Sequence, residues 1–374
     1  MALHDYTFYD LINRNAVCYG KRPAWLDVED QRALSFADIK QQVDRLAAGL
    51  QKRGVQKGER IGVFGKNSLD YFLLYGAAAA IGAIILPINW RLSAEEVIFN
   101  LNDGGPKALF VDPEYQAMID GARGRLPSVK LYFNLKPPGG VFDDFNDLLK
   151  SSVGFRPAEV SDEDGLVIIH TAAVAGRPRG ALLSHRNLIS ANIHLNLLMH
   201  LSPEDVHLNL LPLFHVGGLF MATMTFHVGA LNINMSKFDA AQAVDLIADR
   251  KVTVMFDFAP IMSSILEQQV KSGKPIDSLQ HVIGIEAPET IEKYQQQTGG
   301  TFYVMYGQTE TSAIATLGRY NDRPGSAGQT IPLADVKLLD DSERDVPAGT
   351  VGEIAVKGPM VFNGYWGLPE DTAY

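Results

Sequence analysis

The chain has 374 residues and a formal net charge of −10, with 46% hydrophobic and 20% charged residues. The acidity and the lack of any basic run exclude a nucleic-acid surface, and the length calls for two or three globular units rather than one core. The single cysteine, Cys18, excludes an internal disulfide or a cysteine-built metal site and fits a reducing, cytoplasmic setting.

In chain order, the opening MALHDYTFYD has neither the basic start nor the apolar centre of a secretion signal. Phe36 to Arg53 has helical periodicity, and ERIGVFG (59–65) then reads as a strand. Tyr71 to Ile88 is an uncharged run long enough to raise the question of a membrane span. Gly82 and Pro87 break it, so it reads as a buried helix, a turn and a buried strand. Ser93 opens a capped helix with SAEE, and KALFVD (107–112) and GLVIIH (165–170) are further strands.

The rhythm resumes with a helix in FDAAQAVDLIADR, a strand over 252–258, a helix from Pro260, and strands in HVIGIE and TFYVMYG. Strands apolar on both faces and separated by helices predict parallel sheets covered on both sides, hence an α/β protein. After about Pro324 short alternating strands with turn residues predict a small antiparallel unit. The expected organisation is a first α/β lobe over 1–165, a second over 166–325 that includes a phosphate-loop-like stretch, and the start of a small β subdomain over 326–374.

Four segments carry chemical character. They are HTAAVAGRPRGALLSH (170–185), LPLFHVGGL (211–219), MYGQTE (305–310), and RPGSAGQTIP followed by VGEIAVKGPMVFNGYWGLPEDTAY. In this order and spacing, and with LSFADIKQQVDRLAAGLQKRGVQKGERIGVFGKNS (34–68), the chain resembles the adenylate-forming (AMP-binding) superfamily, of the acyl-CoA synthetase type. The resemblance covers nearly the whole chain.

The resemblance implies two α/β lobes plus an antiparallel β unit, and a ligase that joins a carboxylate to ATP as an acyl-adenylate and passes the acyl group to coenzyme A. It implies Mg²⁺ as cofactor, because two anions must be neutralised and held in line. It assigns Tyr306 to adenine packing with Gly307 and Gln308 beside it, Thr309 to the α-phosphate, and Glu310 to Mg²⁺, a cation that prefers oxygen ligands. His215 falls where an imidazole orients the carboxylate. Amino-acid-activating relatives place an aspartate in that region, so Phe214-His215-Val216 points to a fatty or other non-amino acid. His194, His200 and His207 read as structural or solvated, with no transition metal expected.

The family loop runs Thr-Ser-Gly-Thr-Thr-Gly-x-Pro-Lys-Gly. Here Thr171, Gly176, Pro178 and Gly180 keep the turn, Ala172, Val174 and Ala175 replace hydroxyls, Ala173 replaces glycine, and Arg179 replaces lysine. Arg177 and Arg179 are expected to take over part of the phosphate grip. Gly284, Glu286, Ala287 and Pro288 occupy the stretch packed under adenine, where relatives have smaller residues than Ile285 and Glu286. The resemblance also implies a ribose-binding segment and a lid domain with a catalytic lysine beyond Tyr374, so the chain is expected to be the large domain and to form little thioester alone. The expected partners are a carboxylic acid, ATP and CoA, without nucleic acid or a transmembrane segment, and with room for a homodimer. The rival reading is a pseudoenzyme that binds acyl groups or nucleotide without turnover. The motifs of nicotinamide-binding, P-loop and G-x-S-x-G hydrolase proteins do not occur.

Overall fold

The computed structural model describes residues 5–136, 140–150, 155–171 and 177–372. Two large mixed sheets organise it. The first has seven strands in the order Gly364–Tyr365, Gly180–Ser184, Gly165–His170, Ile84–Ile88, Arg60–Phe64, Ala108–Val111 and Leu131–Asn134. The second has nine, in the order Gln329–Thr330, Thr316–Arg319, Thr301–Tyr306, His281–Ile285, Val254–Phe258, Val206–Asn209, Leu231–Asn234, Pro23–Asp27 and Ala33–Ser35. A separate antiparallel pair, Asp335–Leu339 with Glu353–Lys357, forms the small β unit. The expected α/β class with a β appendage holds.

Sheet membership does not follow the expected division after residue 165. Strands Pro23–Asp27 and Ala33–Ser35 cross into the second sheet, while Gly165–His170 and Gly180–Ser184 form an antiparallel hairpin within the first. The phosphate-loop-like stretch therefore connects two paired strands of the first sheet.

The run that raised the membrane question resolves as read from its punctuation. Leu69–Ile81 is a helix buried along its whole length, Gly82 caps it with φ 68°, and Ile84–Ile88 follows as a buried strand. The helix is apolar all round because it packs against strands of both sheets. Among the described residues no helix is long and apolar enough to cross a membrane. Side-chain caps set the helix starts: Ser35 with Asp38, Ser93 with Glu96, and Ser184 with Asn187 form reciprocal boxes that satisfy otherwise orphaned N–H groups.

Candidate active site

Two sheets with their strand ends facing one cleft bring the distant motifs together. The strand Thr301–Tyr306 ends at the motif, and a single 3₁₀ turn, Thr309–Thr311, follows. The Gln308 N–H donates to Thr311 Oγ1 at 3.0 Å, and Ala313 N–H donates to the Gln308 carbonyl at 3.0 Å. Ser312 and Ala313 lie at φ 53° and 76°, left-handed values that non-glycine residues pay for in strain. A side chain on Gly307 would collide with the Ala313 carbonyl, so glycine is required for this close approach. Ser312 Oγ donates to the Met360 carbonyl at 2.7 Å, and Phe362 N–H to the Glu310 carbonyl at 2.8 Å, tying the turn to the C-terminal segment.

Two cavities meet at this turn. The larger, of about 770 Å³, is bounded by the hairpin residues His170, Thr171, Arg177 and Pro178, by the helix residues Glu95, Glu96 and Phe99, and by Phe214, His215 and Thr309. The smaller, of about 380 Å³, is walled mainly by apolar side chains, with Tyr306, Gly307, Gln308, Thr309 and His215 along one side. His215 and Thr309 therefore face both. Thr309 is 8% exposed at this junction.

His215 caps the helix Val216–Val228, its Nδ1 accepting from Gly217 N–H at 3.1 Å. That bond leaves Nε2 to carry the proton in the neutral ring. The ring is open to the cleft, yet the protein packed around it lowers its pKa, and the positive charge of Arg91 lowers it further. The cleft thus holds a neutral imidazole with an N–H to offer.

Glu310 stands at the other side of the turn. Tyr365 Oη donates to its Oε1 at 2.7 Å, and burial followed by the Glu310 bond pushes the Tyr365 hydroxyl up to about 12. The Arg179 guanidinium lies 4.3 Å from the Tyr365 ring centroid and 3.5 Å from Asp371. Arg179 is therefore engaged with the C-terminal segment. Arg177 is exposed and faces the larger cavity, its guanidinium 5.8 Å from the Phe99 ring. Thr171 N–H donates to the Arg179 carbonyl at 3.0 Å and closes the base of the loop. Gly180 is buried beneath Trp366, where an added methyl would meet Ile168 at 2.8 Å. Gly176, with Ala172 to Ala175, lies outside the described residues.

The stretch Gly284 to Pro288 behaves differently from its neighbours. Gly284 is pressed on the Asp257 backbone, leaving no room for a side chain. Glu286 turns back, Oε1 accepting from Ala287 N–H at 2.8 Å, and Pro288 starts the helix Pro288–Thr298. None of Gly284, Glu286, Ala287 and Pro288 lines the two cavities, whereas Ile285 lines the smaller one.

For Mg²⁺ the donor set is lean. No group of three or more His, Cys, Asp or Glu side chains that could hold a metal occurs among the described residues. A single carboxylate suits Mg²⁺, which completes its shell with water and substrate phosphates, and Tyr365 occupies only one of the Glu310 oxygens. The residues fit the ion.

Sequence reading missed two features. His170 Nε2 is 2.8 Å from Asp103 Oδ2 under the hairpin, a pairing of residues 67 positions apart that no local pattern reveals. Tyr365 reaches Glu310 because its strand pairs with Gly180–Ser184, again a long-range contact. Its GYW context was visible, but not its partner.

The profile of the AMP-binding enzyme family matches residues 12–366. The chain belongs to this family. It is 33% identical over 344 residues to an indoleacetate–CoA ligase of Aromatoleum aromaticum, covering 90% of this chain and 67% of that one. It is 31% identical to a feruloyl-CoA synthase of an Amycolatopsis species, covering 91% and 68%. A solved structure from Rhodopseudomonas palustris, described provisionally as a long-chain-fatty-acid CoA ligase, superposes with a TM-score of 0.95 at 40% identity over 99% of this chain and 93% of that one. The N-terminal domain of FACL13 from Mycobacterium tuberculosis shares the fold, with a TM-score of 0.89 at 24% identity over 98% and 93%. The AMP-binding chain described here thus spans about two thirds of its curated relatives and nearly all of the two solved domains.

Proposed function

We propose that this AMP-binding chain is the nucleotide- and acid-binding part of a carboxylic acid–CoA ligase. A carboxylate oxygen attacks the α-phosphorus of ATP, the bond to pyrophosphate breaks, and an acyl-adenylate forms. The CoA thiol then attacks the acyl carbon, the carbon–oxygen bond to AMP breaks, and the thioester and AMP leave.

The observation that carries the reading is that His215 and Thr309 line both cavities, one beside the hairpin loop and one apolar. An apolar acid seated in the smaller cavity and a polyphosphate beside the loop meet at these two residues. The Thr309 hydroxyl donates to the α-phosphate and the neutral His215 ring to the carboxylate. Thr171 and Arg177 bound the polyphosphate side, while Arg179 acts through Tyr365. Tyr306, Gly307 and Gln308 border the acid's cavity and are assigned to the nucleoside, with Gly284 to Pro288, by the family resemblance alone. Bound at Glu310, Mg²⁺ supplies charge neutralisation for the phosphates. The exposed, unpaired Cys18 supports a reducing, cytoplasmic setting.

The methyl groups at Ala172 and Ala175 favour a second reading, binding without turnover. Acid-dependent pyrophosphate release by the full-length protein separates the two: release above the no-acid control supports the ligase, and its absence across a broad acid panel, with ATP still bound, supports the binding module.

A further inference from the structure

The smaller cavity says which acid it takes. Resting on the ligase reading, we propose that its substrate is a compact, aryl-substituted monocarboxylic acid, and that both long-chain fatty acids and acids bearing a second charge are poor substrates.

Polarity is the first argument. The inner wall is Val216, Gly217, Phe256, Phe258, Ile285 and Met305, and no charged side chain is among the described residues that line the cavity. A second carboxylate or an ammonium held against this wall would lose water without gaining a counter-charge, which is unfavourable. The polar side chains of the lining are His215, Tyr306, Gln308 and Thr309, and His215 and Thr309 are the two shared with the larger cavity, where the reacting carboxylate must lie.

Shape is the second. The Phe256 and Phe258 rings are stacked, with centroids 5.4 Å apart and planes at 20°. Phe258 is 39% exposed and Ile285 56% exposed, although both are large and apolar and both face the cavity. Exposed apolar surface concentrated in a concavity marks a place for an apolar partner, and an aromatic face offers a ring its preferred offset or edge contact.

Depth is the third. Beside Gly217, Phe256, Met305 and Ala313, which wall this cavity, the space narrows to only about 10 Å³, at the limit of what holds one water. Phe220, Met221 and Ile283 pack around it. A long alkyl chain meets this constriction and must displace the side chains packed around it to pass. Of the small residues on this helix, Gly217 lines the cavity, whereas Gly218 is pressed on the Pro212 backbone and Ala222 is buried.

The test is acid-dependent pyrophosphate release by the full-length protein with indole-3-acetate, cinnamate, palmitate and succinate, alongside direct binding of the same acids followed by saturation-transfer NMR. The expected kcat/KM is at least tenfold higher for the aryl acids than for palmitate or succinate. In Gly217→Val, where the glycine's added Cβ would have only ordinary contacts of 3.4 Å or more, the KM for aryl acids should rise at least fivefold while that for ATP changes less than twofold. Turnover or binding that favours palmitate or succinate overturns the proposal. Saturable, selective aryl-acid binding without turnover supports the pocket assignment while removing the ligase reading, and absence of both binding and turnover overturns both.

Discussion

Tyr365 donates its phenolic hydrogen to Glu310 Oε1 at 2.7 Å, across 55 positions of chain. The bond holds the Glu310 carboxylate against the C-terminal segment, and the Arg179 guanidinium over the Tyr365 ring couples the same residue to the hairpin. Tyr365 thus positions the group that would hold the cation and links it to the strand Gly180–Ser184.

Replacing Tyr365 by Phe removes the bond and keeps the ring. A hydrogen bond to a charged group contributes about 1.5–3 kcal/mol when well sheltered. For a half-exposed pair the expected effect is nearer tenfold, seen as a higher Mg²⁺ concentration for half-maximal activity. An unchanged Mg²⁺ titration in Tyr365→Phe removes Tyr365 from this role.

The hairpin loop is the clearest place for a gain. Ala172→Ser with Ala175→Thr restores donors that relatives possess, and the KM for ATP is expected to fall roughly fivefold to thirtyfold, the equivalent of about 1–2 kcal/mol. Isothermal titration of ATP against the parent and repaired proteins measures it. Equal affinities mean that the loop does not touch phosphate.

Asp257 provides a pH signature of the fold rather than of the chemistry. Its carboxyl is buried, accepts from Met262 N–H at 3.0 Å, and is pushed up from its ordinary value to about 7 by burial and then by Glu286. Asp257 Oδ2 and Glu286 Oε2 are both buried without a partner. Because the folded value is raised, the contribution to stability is complete below the ordinary carboxylate value and is lost as pH rises towards 7. Asp257→Asn keeps the acceptor for Met262 and cannot ionise. Its melting temperature relative to the parent is expected to be higher by a few degrees at about pH 8 than at about pH 4.5. A difference independent of pH contradicts the assignment.

Much of this architecture is legible in the sequence because the strands at 60–64, 84–88, 108–111 and 165–170 are apolar on both faces and flanked by helices with evident caps. The strands VHLN and LNIN escape the same reading. Their buried polar residues are satisfied sideways, with Asn209 Nδ2 donating to Asn234 Oδ1 at 2.9 Å and His207 Nδ1 2.7 Å from Asn232 Oδ1, so hydropathy alone reports them as loop. His207 and His194 prove structural: the first is buried in this ladder, and the second bonds the Ser190 carbonyl and Leu333 N–H. The interleaving of the sheets is invisible locally, since Pro23–Asp27 pairs with Leu231–Asn234 two hundred residues later. At the site, Tyr306 to Glu310 announce themselves as a motif. The direction of Ile285 into the cavity and of Glu286 away from it depends on strand pleat and on the turn at Ala287.

The central claim is that Glu310 and its neighbours support attack of a carboxylate on ATP. The most direct measurement is acyl-adenylate and pyrophosphate formation in a single turnover of the full-length protein, compared with Glu310→Gln. Glu310 is half-buried, so the variant is expected to keep the parent's melting temperature within about 2 °C. The account predicts an acid-dependent burst of adenylate in the parent that slows by about a hundredfold or more in Glu310→Gln. Equal adenylate formation in the two proteins contradicts it.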